Sequence, residues 1–423
     1  MKELQQSSVD EKLFEFLCVT AAAAALLPEY IAPFFTLGGF CVFKYCFGKT
    51  ERKVRMGNTA KYFLLFMCFS FLSVIWSGTR IYSGAVSLLW MGMLLGAFYT
   101  ANICTDRERI EKLIKYLSIG GGAVGAIGSA EYALLLMGVK VPNPLWSVFD
   151  VIIYRIMPFS ITDTANVWEA SRASSTFDNP LICATYLLLI LPVAVYGFSV
   201  SRGKEKALYG VSALCMFGGI LGTSSRTPAL AALAAVALFA VLNVKNIKKL
   251  LPVAGGLIVG CGAFGAIMLR RYMLRANDFQ KSTSNRIKMW KACWELIKKK
   301  PVLGYGAGCE GTSQGMLEYG IKKPHAHSLY IEMTTELGFV GLIFLLAVFA
   351  LIAYDIFKLI KCGGYYGRLG KMFLCVAVAF AIGSLTEFTM QTPKELQYFM
   401  IILGLLEAVK RQVTLSAPNY IPE

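Results

Sequence analysis

The chain has 423 residues, of which 56% are hydrophobic and only 16% charged, with a formal net charge of +16 and a mean hydropathy of +0.57. That length would allow two or three soluble domains. Long apolar runs recurring from end to end exclude them and point to an all-α, polytopic membrane protein spanning 1–423 as one unit. In so apolar a chain, the positive balance points to cytoplasmic anchors and anionic lipid, not to nucleic acid.

The N-terminus is polar, and no small-residue cleavage site follows Ala21 to Ala25, so no cleavable signal peptide is expected. Candidate spans fall at about 13–27, 29–47, 61–77, 81–103, 113–138, 178–200, 207–222, 228–243, 250–269, 329–357, 371–387 and 396–410, about twelve in all. Pro28, Glu29 and Pro33 interrupt the first two, so 13–47 reads as either one span or two. The twelve cysteines lack framework spacing, and most, such as Cys18, Cys68 and Cys183, sit in apolar runs as small hydrophobes. No CxxC or Cys/His pattern is present, and no zinc, redox centre or other cofactor is expected.

Charge sets the topology. Lys49 to Arg55, Arg107 to Lys115, Arg202 to Lys206, Lys245 to Lys249, Lys358 to Lys371, and Lys410 with Arg411 occupy every second connection, which places them in the cytoplasm. Two long connections then fall outside. One, 139–177, carries Trp146, Tyr154, Phe159 and Trp168 and suits an interfacial loop. The other, 270–326, holds twelve Lys or Arg and breaks the charge bias. Long loops cross regardless of charge, so this excess points to an anionic ligand outside the membrane.

Three polar features converge on the external face. Gly222-Thr223-Ser224-Ser225-Arg226-Thr227-Pro228 is a short connection whose arginine either snorkels or holds an anion at the helix start. Ser284 is a candidate N-cap for an amphipathic helix with an apolar stripe of Ile287, Trp290, Trp294 and Ile297, suited to the outer leaflet and stopped by Pro301. Arg286 lies in its first turn, a second anion position, while most of its lysines read as a solvated face. Pro301 to Gly308, with three alternating glycines, reads as a tight external turn and not a dinucleotide loop. The third feature is Pro324-His325-Ala326-His327-Ser328-Leu329-Tyr330, which holds both histidines of the chain. Imidazole titrates near neutrality, so this points either to proton chemistry or to a plain polar helix start. The membrane carboxylates are Glu131, Glu332, Glu336, Asp355 and Glu387. Glu332, seven residues after His325, shares a helix face with it and is a candidate to orient an imidazole.

In order and spacing, Ser175 to Pro180, Ser225-Arg226, Arg286 to Trp290, Pro301 to Gly306, His325 to Tyr330 and Glu336 to Gly341 resemble the O-antigen ligase and polymerase family of bacterial membrane glycosyltransferases. The resemblance covers about residues 170–360. It implies a helical bundle with a large external loop before the histidine, sited in the bacterial cytoplasmic (inner) membrane. It implies metal-free, inverting transfer of a glycan from an undecaprenyl diphosphate carrier to a glycan, lipid or protein hydroxyl on the outer face. Arg226 and Arg286 would hold the diphosphate and His327 would be the base, with His325, Glu332 and Ser328 in support. Family members often have Asn where this chain has Ser328. Polymerases and ligases both fit the pattern. The rival readings are a transporter or lipid-linked glycan flippase and, less well supported without a soluble output domain, a sensor or scaffold.

Overall fold

The computed structural model describes residues 2–27, 31–48, 55–139, 172–177, 179–243, 284–390 and 392–416, with scattered positions between 255 and 269. The aromatic residues expected in an interfacial loop, Trp146 to Trp168, lie outside the described residues, as do Lys49 to Lys53 and Lys245 to Lys249. Among the described residues the structure is helical and contains no strand. The helices are α1 (Lys2–Ala23), α2 (Ala32–Gly48), α3 (Asn58–Leu72), α4 (Arg80–Ile103), α5 (Arg107–Leu136), α6 (Pro180–Val200), α7 (Gly203–Gly222) and α8 (Arg226–Asn243). After them come α9 (284–299), α10 (Cys309–Leu317), α11 (Leu329–Cys362), α12 (Gly364–Gly383) and α13 (Pro393–Ser416). Seven of the described helices are long and apolar enough to cross a membrane, against the twelve spans expected from hydropathy.

Local chemistry sets the helix starts. Asp106 accepts a hydrogen bond from the Arg109 amide at 2.9 Å and caps α5. Asn179 accepts from the Leu181 amide at 2.8 Å, with Pro180 at the first helical position of α6. Close packing is made by small residues. A Cβ on Gly219 of α7 would sit 2.9 Å from the Cα of Gly125 of α5, so the two backbones approach as only small residues permit.

The bundle has two distinct ends. At one, Arg411 donates to the Ala101 and Arg55 carbonyls, Asn102 and Arg55 exchange hydrogen bonds, Lys410 pairs with Asp355, and Lys115 pairs with Glu205 at 2.8 Å. Of the charge groups placed on one side by sequence, the contacts of Arg411 thus join those of Arg55 and of Lys410 with Arg411. At the other end the connections touch one another: Thr176 donates to the Ala25 carbonyl, Ala307 to Ser73 Oγ, and Leu329 to the carbonyls of Ser384 and Glu387.

The span expected at 329–357 is not one continuous helix. Gly338, at φ +67° and ψ −172°, breaks α11. Four backbone groups freed there find partners in the loop 301–306. The Tyr305 and Gly306 amides donate to the Thr335 and Glu336 carbonyls at 3.1 and 2.7 Å. The Phe339 and Val340 amides donate to the Pro301 and Val302 carbonyls at 2.8 and 3.3 Å. The loop read as a tight external turn is therefore built into the helix break, where it satisfies groups that would otherwise be buried unpaired.

A Cβ on Gly338 would lie 2.1 Å from the Val302 carbonyl oxygen, whereas one on Gly363, at φ +66°, meets nothing within 4 Å. Gly363→Ala is expected to cost only the backbone penalty of a conformation that glycine favours, about 1–3 kcal/mol. Gly338→Ala should cost clearly more, because the loop must move. Thermal unfolding of both variants in one detergent checks this, and equal losses would rule out the steric account.

Candidate functional site

The two histidines and Glu387 form the centre of the second end. His327 Nδ1 lies 3.4 and 3.3 Å from the two Glu387 carboxylate oxygens, and His325 Nε2 lies 4.0 Å from Oε1. The imidazole rings stand 4.2 Å apart between centroids. The His327 amide donates to His325 Nδ1 at 3.1 Å. An ionised carboxylate only accepts, so the partners assign the proton of neutral His327 to Nδ1 and leave Nε2 with its lone pair. By the same reasoning neutral His325 carries its proton on Nε2, facing Glu387. The His327 side chain is 18% exposed and that of Glu387 5%, so the imidazole is reachable and its carboxylate is not.

Electrostatics keep the Glu387 carboxylate ionised. Burial alone would raise the Glu387 carboxyl. The adjacent His327 ring and its hydrogen bond, with His325 and Arg286 beyond, outweigh burial and hold the carboxyl down at about 2. Burial, followed by His327, pushes His325 down to about 3, with Arg286 and Lys323 adding to the effect, so it stays neutral.

The surrounding loops fix the pair. His327 has φ +52°, and Ser175 and Ser224 are the other described non-glycine residues with positive φ, all at this end. Trp290 of α9 donates its indole N–H to the Ala326 carbonyl at 2.9 Å. Glu332 accepts the Ala326 amide and Glu336 accepts the Gly308 amide at 2.7 Å. Ser328 is buried, in extended conformation before α11, and its hydroxyl makes no capping bond.

Arg286 lies within electrostatic reach of this centre, and Arg226, sixty residues earlier in sequence, lies within reach of Arg286. Arg286 acts on Arg226, on His325 and on Glu387. The turn that carries Arg226 is held by Arg172, whose Nε donates to the Thr223 carbonyl at 2.8 Å and whose guanidinium also donates to Ser225 Oγ at 2.7 Å. Glu131 in turn accepts the Ser174 and Ser175 amides at 3.0 and 2.7 Å. Lys394, fully buried, donates to the Leu27 and Thr176 carbonyls, both at 2.8 Å, and lies 3.7 Å from the centre of the Phe177 ring.

Several expectations change here. Glu332 does not orient an imidazole; it braces the backbone between the histidines, and the carboxylate beside the rings is Glu387, sixty-two residues after His325. Asp355 sits at the opposite end with Lys410. Arg172 and Lys394 carry no motif that marks them in the sequence. Ser284 lies within α9. The face of α9 that docks is Met289, Ala292, Cys293 and Leu296, packed with Met316 and Ala326, and of the expected stripe Ile297 is buried at its margin. Ile287 and Trp294 are 47% and 52% exposed. Small and sulfur-containing residues allow close approach to α10, which a tryptophan face would prevent.

Among the described residues, two side-chain groups converge closely enough to share an ion: His325, His327 and Glu387, and Cys309, Glu332 and Glu336. In the first, the His327 amide already uses His325 Nδ1, which leaves a proton, not a lone pair, on the nitrogen facing Glu387. In the second, Glu332 and Glu336 each already spend one oxygen on a loop amide.

The fold and site define a polytopic helical membrane protein with one cationic, histidine-centred polar site at one end. Residues 211–346 match the family described as O-antigen ligase, a stretch that contains Arg226, Arg286 and both histidines. The match supports the O-antigen ligase and polymerase family, whose type of activity is glycan transfer. None of the curated proteins compared matches the chain.

The value for folded His325, about 3, lies below the unfolded value near 6.5. The unfolded chain therefore takes up a proton before the folded one does. Stability contributed by neutral His325 is complete above roughly pH 6.5 and falls as the pH drops toward 3. Unfolding temperatures measured from pH 7 to acid should show this slope in wild type and a shallower one in His325→Gln; identical slopes would refute it.

Proposed function

We propose that the chain transfers a glycan from an undecaprenyl diphosphate carrier to an acceptor hydroxyl on the outer face of the bacterial cytoplasmic membrane. The basic end of the bundle then faces the cytoplasm, following the distribution of Lys and Arg. The observation that carries the reading is the contact of His327 Nδ1 with Glu387, within the electrostatic reach of Arg286. It leaves a base beside a cationic position suited to diphosphate.

Arg226 and Arg286 bind the donor diphosphate from two elements. Guanidinium stays charged and offers a planar fork to phosphate oxygens. The acceptor oxygen attacks the anomeric carbon, and the bond from that carbon to the diphosphate oxygen breaks. The electron pair leaves with the diphosphate, where negative charge grows, so fixed cations favour the transition state over the ground state. The hydroxyl proton passes to His327 Nε2. Glu387 orients the ring and stabilises the imidazolium that forms, as a buried carboxylate does in other histidine-based sites. Displacement in one step inverts the anomeric centre. The arginines take the place of a metal at the leaving group.

A transporter or flippase would need polar groups along a path through the bundle, whereas the groups of this site collect at one end. The donor is lipid-linked glycan and the acceptor a glycan, lipid or protein hydroxyl. Either a polymerase or a ligase uses this chemistry.

His327→Ala should lower glycan transfer in membranes supplied with lipid-linked donor by about 10²–10⁴-fold. Glu387→Gln should also lower it while leaving the KM for donor near wild type, because the carboxylate acts on the ring and not on the diphosphate. Full activity in His327→Ala would sink the base assignment. Arg226→Lys and Arg286→Lys should each lose most activity despite keeping the charge, and wild-type transfer should survive EDTA. Wild-type rates in both lysine variants would argue against bidentate phosphate binding.

A further inference from the structure

The strongly basic loop before the histidines is not accounted for by Arg286 alone. Within it, α9 and residues 319–321 enclose a surface groove of about 870 Å³, in the size range of ligand sites. Ile287, Trp290 and Trp294 supply an apolar and aromatic wall, Tyr319 faces it, and Lys288 and Lys291 line its edge. Trp294 and Tyr319 are 52% and 39% exposed. The inner wall adjoins the proposed catalytic centre, since Trp290 itself holds the carbonyl of Ala326, the residue before His327.

The charges of this groove are not balanced internally. Its one lining carboxylate, Glu295, pairs with Lys298 at 2.8 Å, and Glu318 next to Tyr319 pairs with Lys299 at 2.8 Å. Lys288 and Lys291 form no ion pair among the described residues. Exposed aromatic faces suit the C–H faces of pyranose rings, and unpaired ammonium groups at the edge suit carboxylates or phosphates carried by those rings.

We propose that this groove binds the glycan of the reaction and selects an acidic one, bearing uronic acid or phosphate groups. The inference rests on the glycan-transfer reading and adds the substrate class to it. A membrane surface is the other surface that tryptophan and lysine suit. The groove favours glycan because it is concave and walled on its far side by residues 319–321, and because the docking face of α9 is buried in protein.

The test uses the full chain in nanodiscs of zwitterionic lipid, with oligogalacturonate as the acidic probe and a maltooligosaccharide of equal length as the neutral one. Oligogalacturonate should bind at least about tenfold more tightly than the neutral probe, and less tightly as salt is raised. Lys288→Glu with Lys291→Glu should weaken the acidic probe about tenfold or more, and Trp294→Ala should weaken both probes. Equal affinity for the two probes, or acidic binding unchanged by the charge reversal, would overturn the proposal. So would variants that lose association with anionic vesicles but keep the glycan, since that result assigns the face to the membrane. The same titration in His327→Ala separates the two claims. Retained binding with lost transfer supports both, and activity that depends on His327 in a protein indifferent to glycan charge leaves the reaction standing without this groove.

Discussion

Buried backbone must be hydrogen-bonded, and at the site end of this bundle that requirement is met by an exchange at Gly338. The helix opens there, and the chain from Pro301 to Gly306 takes up the carbonyls of Thr335 and Glu336 while offering its own to Phe339 and Val340. Unpaired, each of those groups would cost on the order of 1–3 kcal/mol or more in a dry interior. The exchange also sets the short segment 329–337 apart from the rest of α11. On that segment Glu332 and Glu336, one turn apart, each accept an amide from a different loop. The position of the histidine loop therefore follows from a helix break twelve residues beyond Ala326.

The same logic governs the charges. Glu387 is buried beside two imidazoles and within reach of Arg286, so a carboxylate that burial alone would neutralise stays ionised. It accepts from one imidazole nitrogen and frees the other. Across the site, Arg172, Glu131 and Lys394 are spent on backbone carbonyls, amides and a hydroxyl and hold the connections that carry Ser175 and Arg226. A polar end rich in irregular backbone needs such fixed partners, because few helical hydrogen bonds are available there.

Much of this was legible in the chain. The alternation of basic connections puts Arg55 and Arg411 at one end, and the contacts of Arg411, Asn102 and Arg55 join them there. Loop counting also puts Arg286 with the histidines, and the structure has Arg286 acting on His325, Glu387 and Arg226. The amphipathic helix was found, but its docked face was misplaced: Trp290 and Trp294 dominate the hydropathy, while Met289, Ala292 and Cys293 fit against α10. The imidazole partner was misassigned for a related reason. Glu332 shares a helix face with His325, but the histidines precede the helix, and the left-handed turn at His327 aims its ring elsewhere.

By itself the sequence determined membrane residence, the helical class and the residue types at the site, because hydropathy and charge act locally and sum along the chain. Only the tertiary structure decided that Glu387 serves His327, that Gly338 opens α11, and that Arg172 holds the turn before Arg226. Each of those depends on which distant backbone or side-chain group arrives within hydrogen-bonding distance. That is a property of how the helices pack, and no local pattern encodes it.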